Sequence, residues 1–276
     1  MKHVLRLLWL VYLLPAVAFA GLEDHYIGAG PSGMANAWVA RGGIWSLNHN
    51  QAGLGFSDHL EAGVHYESRF LMKELSVQSA AFMLPTNSGT FGISYSGYGF
   101  SAYRETCVKL GYGLKLSEKL AAGIGIGYGL VRIPGAYGSR GVLIAEAGLQ
   151  YKVNKRFTLG AHFYNASRSQ IAEYNSERVP QSLRLGGDYA FSEKVRVSVE
   201  AAKDFDHPLQ VRGGVEYRPH EMFYLRSGVS SGPVALAFGL GAEFKGFRID
   251  LASAFHRTLG FSPQVSVVYQ GIKTKR

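Results

Sequence analysis

The chain has little of what catalysis, metal binding or nucleic-acid binding needs. Its 276 residues include one cysteine, Cys107, so an internal disulfide or a cysteine metal site is excluded. Past residue 20 no apolar run reaches the roughly 20 residues of a membrane-spanning helix. Charged residues make up only 18%. The basic ones are scattered, with a single cluster at Lys273-Thr-Lys-Arg276, which argues against the basic stripe of a nucleic-acid surface. No G-x-S-x-G elbow or comparable nucleophile context occurs. His59, His65, His162 and His256 therefore lack the partners of a catalytic triad, and none has metal-like spacing. Glu61 and Glu67 share a strand face and suit ion pairing better than acid–base work. The expectation is a protein that is not an enzyme and has neither cofactor nor metal.

The N-terminus reads as an export signal. Lys2, His3 and Arg6 precede the apolar run Leu7 to Leu14, and Ala18-Phe19-Ala20 is a small-x-small cleavage site. Cleavage after Ala20 would lower the net charge from +9 to +7, by removing Lys2 and Arg6. No cysteine follows the site, which excludes lipid attachment there. The sequence divides into a signal peptide (1–20), an N-terminal segment (21–57), a strand-rich body (58–271) and a basic tail (272–276).

The strand-rich body carries the main signal. In Leu120-Ala-Ala-Gly-Ile-Gly-Ile-Gly-Tyr-Gly-Leu130, alternate residues are apolar and the intervening ones small. Strand side chains alternate sides, so this is a ribbon with one apolar and one small face. The pattern recurs in about fourteen segments from Leu60 onward, most about 9–12 residues long, the length of a tilted strand crossing a bilayer. The segment around Leu75–Met83 is the least clean, with apolar residues on both faces. A soluble β-sandwich also alternates, but its strands average about 5–6 residues.

The opposite face carries mixed charge: Glu61, His65, Lys109, Glu146, Gln150, His162, Arg184, Asp188, Glu200, Gln210, Arg212, Glu216, Arg226, Glu243, Arg248 and Asp250. Such a set suits a barrel lumen laced with ion pairs. Alternate connections are tight, at Pro85–Gly89, Leu116–Lys119, Val153–Lys155, Phe191–Lys194, Arg218–Glu221 and Lys245–Gly246. The longer ones, Ile133–Arg140 and Ala166–Pro180, fall in the other set. Tyr112, Tyr151, Tyr189, Tyr217 and Phe244 precede tight turns, where an interfacial girdle lies. The fold expected is all-β: a transmembrane antiparallel β-barrel of about fourteen strands in the outer membrane of a Gram-negative bacterium, with lipid outside and a small N-terminal plug.

Ile27-Gly-Ala-Gly-Pro-Ser-Gly-Met34 contains G-x-G-x-x-G, the wording of a dinucleotide fingerprint. The motif needs a buried strand before it and an acid about twenty residues after it. Gly21-Leu-Glu-Asp-His25 is no such strand, and Ser46-Leu-Asn-His-Asn50 holds no acid, so nucleotide binding is not expected.

The same region carries a different match. Gly33-Met34-Ala35-Asn36-Ala37-Trp38-Val39-Ala40, followed by Leu47-Asn48-His49-Asn50-Gln51-Ala52-Gly53-Leu54, resembles the N-terminal segment of the FadL superfamily. It is most similar to the smaller PorV/PorQ-type members, with their G-M-G-G-A-x-V-A and N-P-A-G-L stretches. Asn50, Ala52, Gly53 and Leu54 match the second stretch; Gln51 replaces its proline and Ala35-Asn36 the glycine pair. The resemblance implies a fourteen-stranded barrel with an N-terminal plug, and two roles. One is surface protein export or assembly, with secreted proteins or secretion-system components as partners. The other is FadL-like passive transport of small hydrophobic molecules. The first is the leading expectation, because the outer loops are short for ligand capture. Candidate plug residues are Gly33, Met34, Trp38, Asn50, Ala52, Gly53 and Leu54. The glycine faces at Gly92–Ser96, Gly123–Gly129 and Gly239–Gly241 would leave the plug room.

Overall fold

A computed structural model describes residue 22 and residues 25–134, 138–170 and 178–273, with no side-chain description at 272. The signal peptide and the last three residues of the basic tail lie outside the described residues. Fourteen strands close into one antiparallel barrel in sequence order, β14 pairing with β1. They are β1 (His59–Ser68), β2 (Ser76–Thr86), β3 (Gly89–Gly99), β4 (Arg104–Lys115), β5 (Leu120–Ile133), β6 (Gly138–Lys152) and β7 (Phe157–Tyr164). The second half comprises β8 (Ser182–Ala190), β9 (Val195–Asp204), β10 (Gln210–His220), β11 (Phe223–Ser231), β12 (Val234–Phe244), β13 (Phe247–His256) and β14 (Gly260–Lys273). No helix among the described residues is long and apolar enough to cross a membrane.

Alternation decides which way each side chain points. On β5, Ile124, Ile126 and Tyr128 face outward and are more than half exposed, while Gly123, Gly125, Gly127 and Gly129 face the lumen. Outward rows of the same kind, such as Val108–Leu110, Leu236–Leu240 and Ile249–Leu251, continue around the wall. So large an apolar exterior is stable only against lipid. The barrel is therefore membrane-spanning, and a one-residue slip in any strand would turn its luminal charges into hydrocarbon.

The two apolar faces of β2 have a structural reason, and two other local readings are corrected. β2 is apolar on both faces because Val77, Ala81 and Met83 point inward onto Ile27, Ile44, Trp45, Leu47 and Leu54, whereas Phe82 and Leu84 point to lipid. Gly138, Ser139 and Arg140 pair with Ile133, Arg132 and Val131, so that connection is shorter than expected and the long one lies between β7 and β8. Pro85 and Arg218 belong to strands rather than turns.

The N-terminal segment occupies the lumen. Leu22 and His25 lie near Gly129 and Glu105, toward the loop end. The chain then passes a one-turn helix, α1 (Ala29–Ser32), and two 3-10 turns, Ile44–Asn48 and Gln51–Phe56. It leaves at the tight-turn end into β1, where Lys273 Nζ of β14 sits 2.7 Å from Asp58. That ion pair, first among the causes, holds the Asp58 carboxyl below its usual range.

Candidate functional site

The site is the lumen itself. Gly33, Met34, Trp38, Asn50, Ala52, Gly53 and Leu54 are all buried within it. Asn50 organises the second stretch. Its Nδ2 donates to Val39 O at 2.7 Å and reaches Leu149 O and Ala161 O on the wall, while its Oδ1 accepts from Ala52 N at 3.1 Å. That last bond caps the Gln51–Phe56 turn. Gln51 donates to Glu146 Oε2 at 2.6 Å, a contact that a proline at this position could not make. Gly53 packs against Arg41 O and Ser46, where a Cβ would meet both below van der Waals distance. Met34 lies across Gly214 and Gly228, and Leu54 packs over Gly92, Gly111 and Gly113.

The charged candidates form several clusters around the segment. Glu200 receives Arg184 Nε at 2.8 Å and Arg212 Nη1 at 3.4 Å, and its other oxygen accepts the backbone N–H groups of Trp38 and Val39 at 3.1 and 3.0 Å. Glu216 bridges Arg41 and Arg226 at 2.5 and 2.7 Å. Asp250 takes Arg226 at 2.6 Å and Arg248 at 3.2 Å. Asp188 accepts from Ser198 at 2.8 Å and stands 3.8 Å from Arg41. Glu146 pairs with Lys109 at 2.6 Å and with His162 at 3.1 Å. Glu61 accepts Ile44 N at 2.9 Å, and His65 meets the edge of Trp45. Gln210, Glu243 and Arg248 are partly buried, and the other members of the candidate set are buried.

Two segment residues escaped the sequence reading. Arg41 is the only Lys or Arg between residues 25 and 57; a lone cation in a charge-poor stretch is itself the signal that a carboxylate awaits it. Tyr26 lies under Arg184 and Arg212, with cation–ring distances of 4.8 and 4.2 Å, and its hydroxyl accepts from Arg212. Beside it, His49 Nε2 donates to Ile27 O at 3.0 Å and Nδ1 faces Arg184. Burial first, and the Arg184 charge second, hold the His49 imidazole well below its ordinary value, so it is neutral.

The glycine faces divide by purpose. A Cβ at Gly123 or Gly113 would strike the backbone of the segment, and one at Gly129 would strike Leu22. Gly239 touches Gly33, but Gly241 makes room for the Arg226–Asp250 pair rather than for the segment.

Space remains at both ends. A vestibule of about 560 Å³ at the tight-turn end is lined by Arg41, Lys152, Asp188, Arg196 and Glu216. One of about 310 Å³ at the loop end is lined by Tyr26, Tyr164, Asp204 and Arg212. The segment and its ion network lie between them. A cavity of about 30 Å³ beside Leu22, Ile144 and Tyr164 has room for about one water.

The wall is uneven in one place. β6 pairs with β5 along fourteen positions, Leu120↔Tyr151 to Ile133↔Gly138. Its pairing with β7 stops at Ala147↔Phe163. Beyond that point the free edge of β6 is held by the β7–β8 loop: Ala166 N donates to Ala145 O at 2.8 Å, Ser167 Oγ accepts from Ala145 N at 3.2 Å, and Ser169 Oγ donates to Leu143 O. Behind this edge Leu22, Val131, Val142, Ile144, Tyr164 and Val179 form an apolar cluster inside the barrel.

A fourteen-stranded barrel with a lipid-facing exterior and its own N-terminal segment in the lumen has the fold of the FadL-type outer-membrane channels. Solved structures of this fold include the following. The CymD monoaromatic hydrocarbon channel has 13% identity and a TM-score of 0.68 over 90% of this chain and 98% of that one. The Pseudomonas putida toluene transporter TodX has 14% identity and a TM-score of 0.64 over 91% and 98%. A Pseudomonas aeruginosa FadL homologue has 13% identity and a TM-score of 0.66 over 91% and 99%. No family model matches the sequence, and no curated protein matches it. These likenesses show the fold, and none of them supports the export role expected from the sequence.

Proposed function

We propose that this chain is a non-enzymatic outer-membrane channel of the FadL type for the passive transport of small apolar molecules, with residues 21–57 as its plug. The observation that carries the reading is the end of β6–β7 strand pairing at Ala147↔Phe163, with an apolar cluster directly behind the stretch of β6 that only the loop holds among the described residues. The central route is filled by the segment, and an apolar solute gains nothing from a lumen of carboxylates and guanidinium groups. A side route past Ile144 and Tyr164 reaches lipid by breaking, among the described residues, loop-to-strand bonds from Ala166, Ser167 and Ser169. The solved channels of the same fold point the same way: one is a monoaromatic hydrocarbon channel and another a toluene transporter.

The reading is tested in cells with an intact outer membrane and no other apolar-solute channel. Uptake of a labelled monoaromatic hydrocarbon at limiting concentration should rise several-fold when the chain is produced and return to background without it. Equal uptake with and without the protein overturns the reading.

A further inference from the structure

The exterior of the barrel carries a second feature, independent of the lumen. On β5 the outward row runs Leu120, Ala122, Ile124, Ile126, Tyr128, Leu130 and then Arg132. Ten residue steps at about 3.4 Å, tilted by about 40°, rise about 25 Å, the height of the apolar band of an outer-membrane barrel. Arg132 is thus the first outward position above that band at the loop end. On β4 the outward row Leu110, Val108, Thr106 ends at Arg104, and Arg104 lies directly opposite Arg132.

Two like charges facing each other across a strand pair are destabilising unless something neutralises them. Among the described residues neither arginine has an ion-pair partner. Glu105, between them in register, points into the lumen, where His25 and Tyr103 hold it. The adjoining connections, Phe100–Tyr103 and Pro134–Tyr137, contain no acidic residue. Among the described residues no carboxylate of the barrel answers them, and they stand at the depth of the lipid headgroups. Guanidinium forks match phosphate oxygens. Ser139 opposite Arg132 adds a hydroxyl, and Gly99 opposite Arg104 leaves the approach open. Below the pair, Val108, Leu110, Ile124, Ile126 and Tyr128 form a continuous apolar face for acyl chains. The feature is local. β11 to β14 end their outward rows at the same rim on Ser231, Val234, Phe255 and Phe261, all uncharged.

We infer that Arg104 and Arg132 form a docking site on the outer wall for a phosphorylated glycolipid of the outer leaflet, of the lipid A class, with its acyl chains lying along β4 and β5. The inference rests on the outer-membrane placement proposed above, with the loops outside, but not on any solute passing through the barrel. The test is native mass spectrometry of the detergent-purified full chain titrated with bisphosphorylated lipid A, its phosphate-free form and phosphatidylglycerol. Heat-modifiable migration reports that each variant is folded. The site predicts that R104Q/R132Q binds bisphosphorylated lipid A at least about tenfold more weakly than the wild type, that removing the lipid's phosphates costs the wild type a similar factor, and that K155Q/R156Q at the opposite rim binds normally. Unchanged binding by R104Q/R132Q, or an equal loss in K155Q/R156Q, overturns the site. Phosphatidylglycerol binding as tightly as lipid A overturns the glycolipid assignment. A barrel that binds lipid A in this way and shows no hydrocarbon uptake would refute the channel reading alone.

Discussion

The two sides of the lumen hold the N-terminal segment by different means. Toward β3, β4 and β5 the contact is one of shape, where Gly111, Gly113 and Gly123 lie against Leu47, Gln51, Ala52 and Leu54 with no room for a Cβ. Toward β8 to β13 charge is added to such close contacts as Met34 on Gly214 and Gly228, and Glu200, Glu216 and Asp250 gather Arg184, Arg212, Arg41, Arg226 and Arg248. Shape fixes how closely the segment approaches. Buried ion pairs give uncertain net stability but penalise every misplacement, because a displaced charge is left unpaired. The segment is thus seated against a smooth wall and registered by an ionic one.

Removing an acid from the ionic side breaks the comparison most severely. Glu200→Ala would leave Arg184 and Arg212 without their carboxylate and the Trp38 and Val39 N–H groups without an acceptor. The loss of an uncompensated buried partner costs about 3–5 kcal/mol, to be read as a lower urea midpoint in detergent. Glu200→Gln, which keeps an acceptor, should lose less.

The glycine side should break more locally. Gly123→Val forces a branched side chain into the backbone of Gln51 and Ala52. Overpacking of this kind costs about 1–3 kcal/mol, and here the segment can yield while the barrel stays closed. Hydrogen exchange should therefore rise in residues 44–56 and stay low in β8 to β14. Uniform loss of protection would show that the two sides are not separable.

A smaller effect tests the seam between them. His49 is neutral in the folded lumen, with a pKa below its unfolded value of about 6.5. Below that value the unfolded chain binds a proton that the folded one does not. Stability is therefore intact above about pH 6.5 and declines as the pH falls toward the depressed folded value. Urea midpoints at pH 7.5 and pH 5 should differ in the wild type, and His49→Gln should make that step smaller. At the rim, the exposed pair Lys115–Glu118 should contribute nothing measurable, so Glu118→Gln should leave the midpoint unchanged.

The strands were legible because alternation is local: Ile124, Ile126 and Tyr128 declare their face within a few residues. β2 resisted because Val77, Ala81 and Met83 obey the apolar segment they touch rather than the lumen in general. Membership of the ion network was readable from the polar faces, but its pairings were not. Arg226 stands opposite Glu216 only through the β10–β11 register, and Arg41 meets Glu216 across 175 residues of sequence. The unpaired edge of β6 was equally hidden, since the alternation of Leu143–Leu149 is unbroken and the pairing fails through the shortness of β7. The order of the two functional readings changed for a related reason. Short outer loops counted against transport, whereas the side route needs only the one long loop between β7 and β8.

The most direct measurement joins that loop to the wall. Ala145→Cys with Ser167→Cys, in a Cys107→Ser background, places a thiol pair where Ser167 Oγ now accepts from Ala145 N. Hydrocarbon uptake by cells carrying this variant should fall to background on oxidation and recover on reduction. Uptake that continues unchanged with the disulfide formed would contradict a route between β6 and β7.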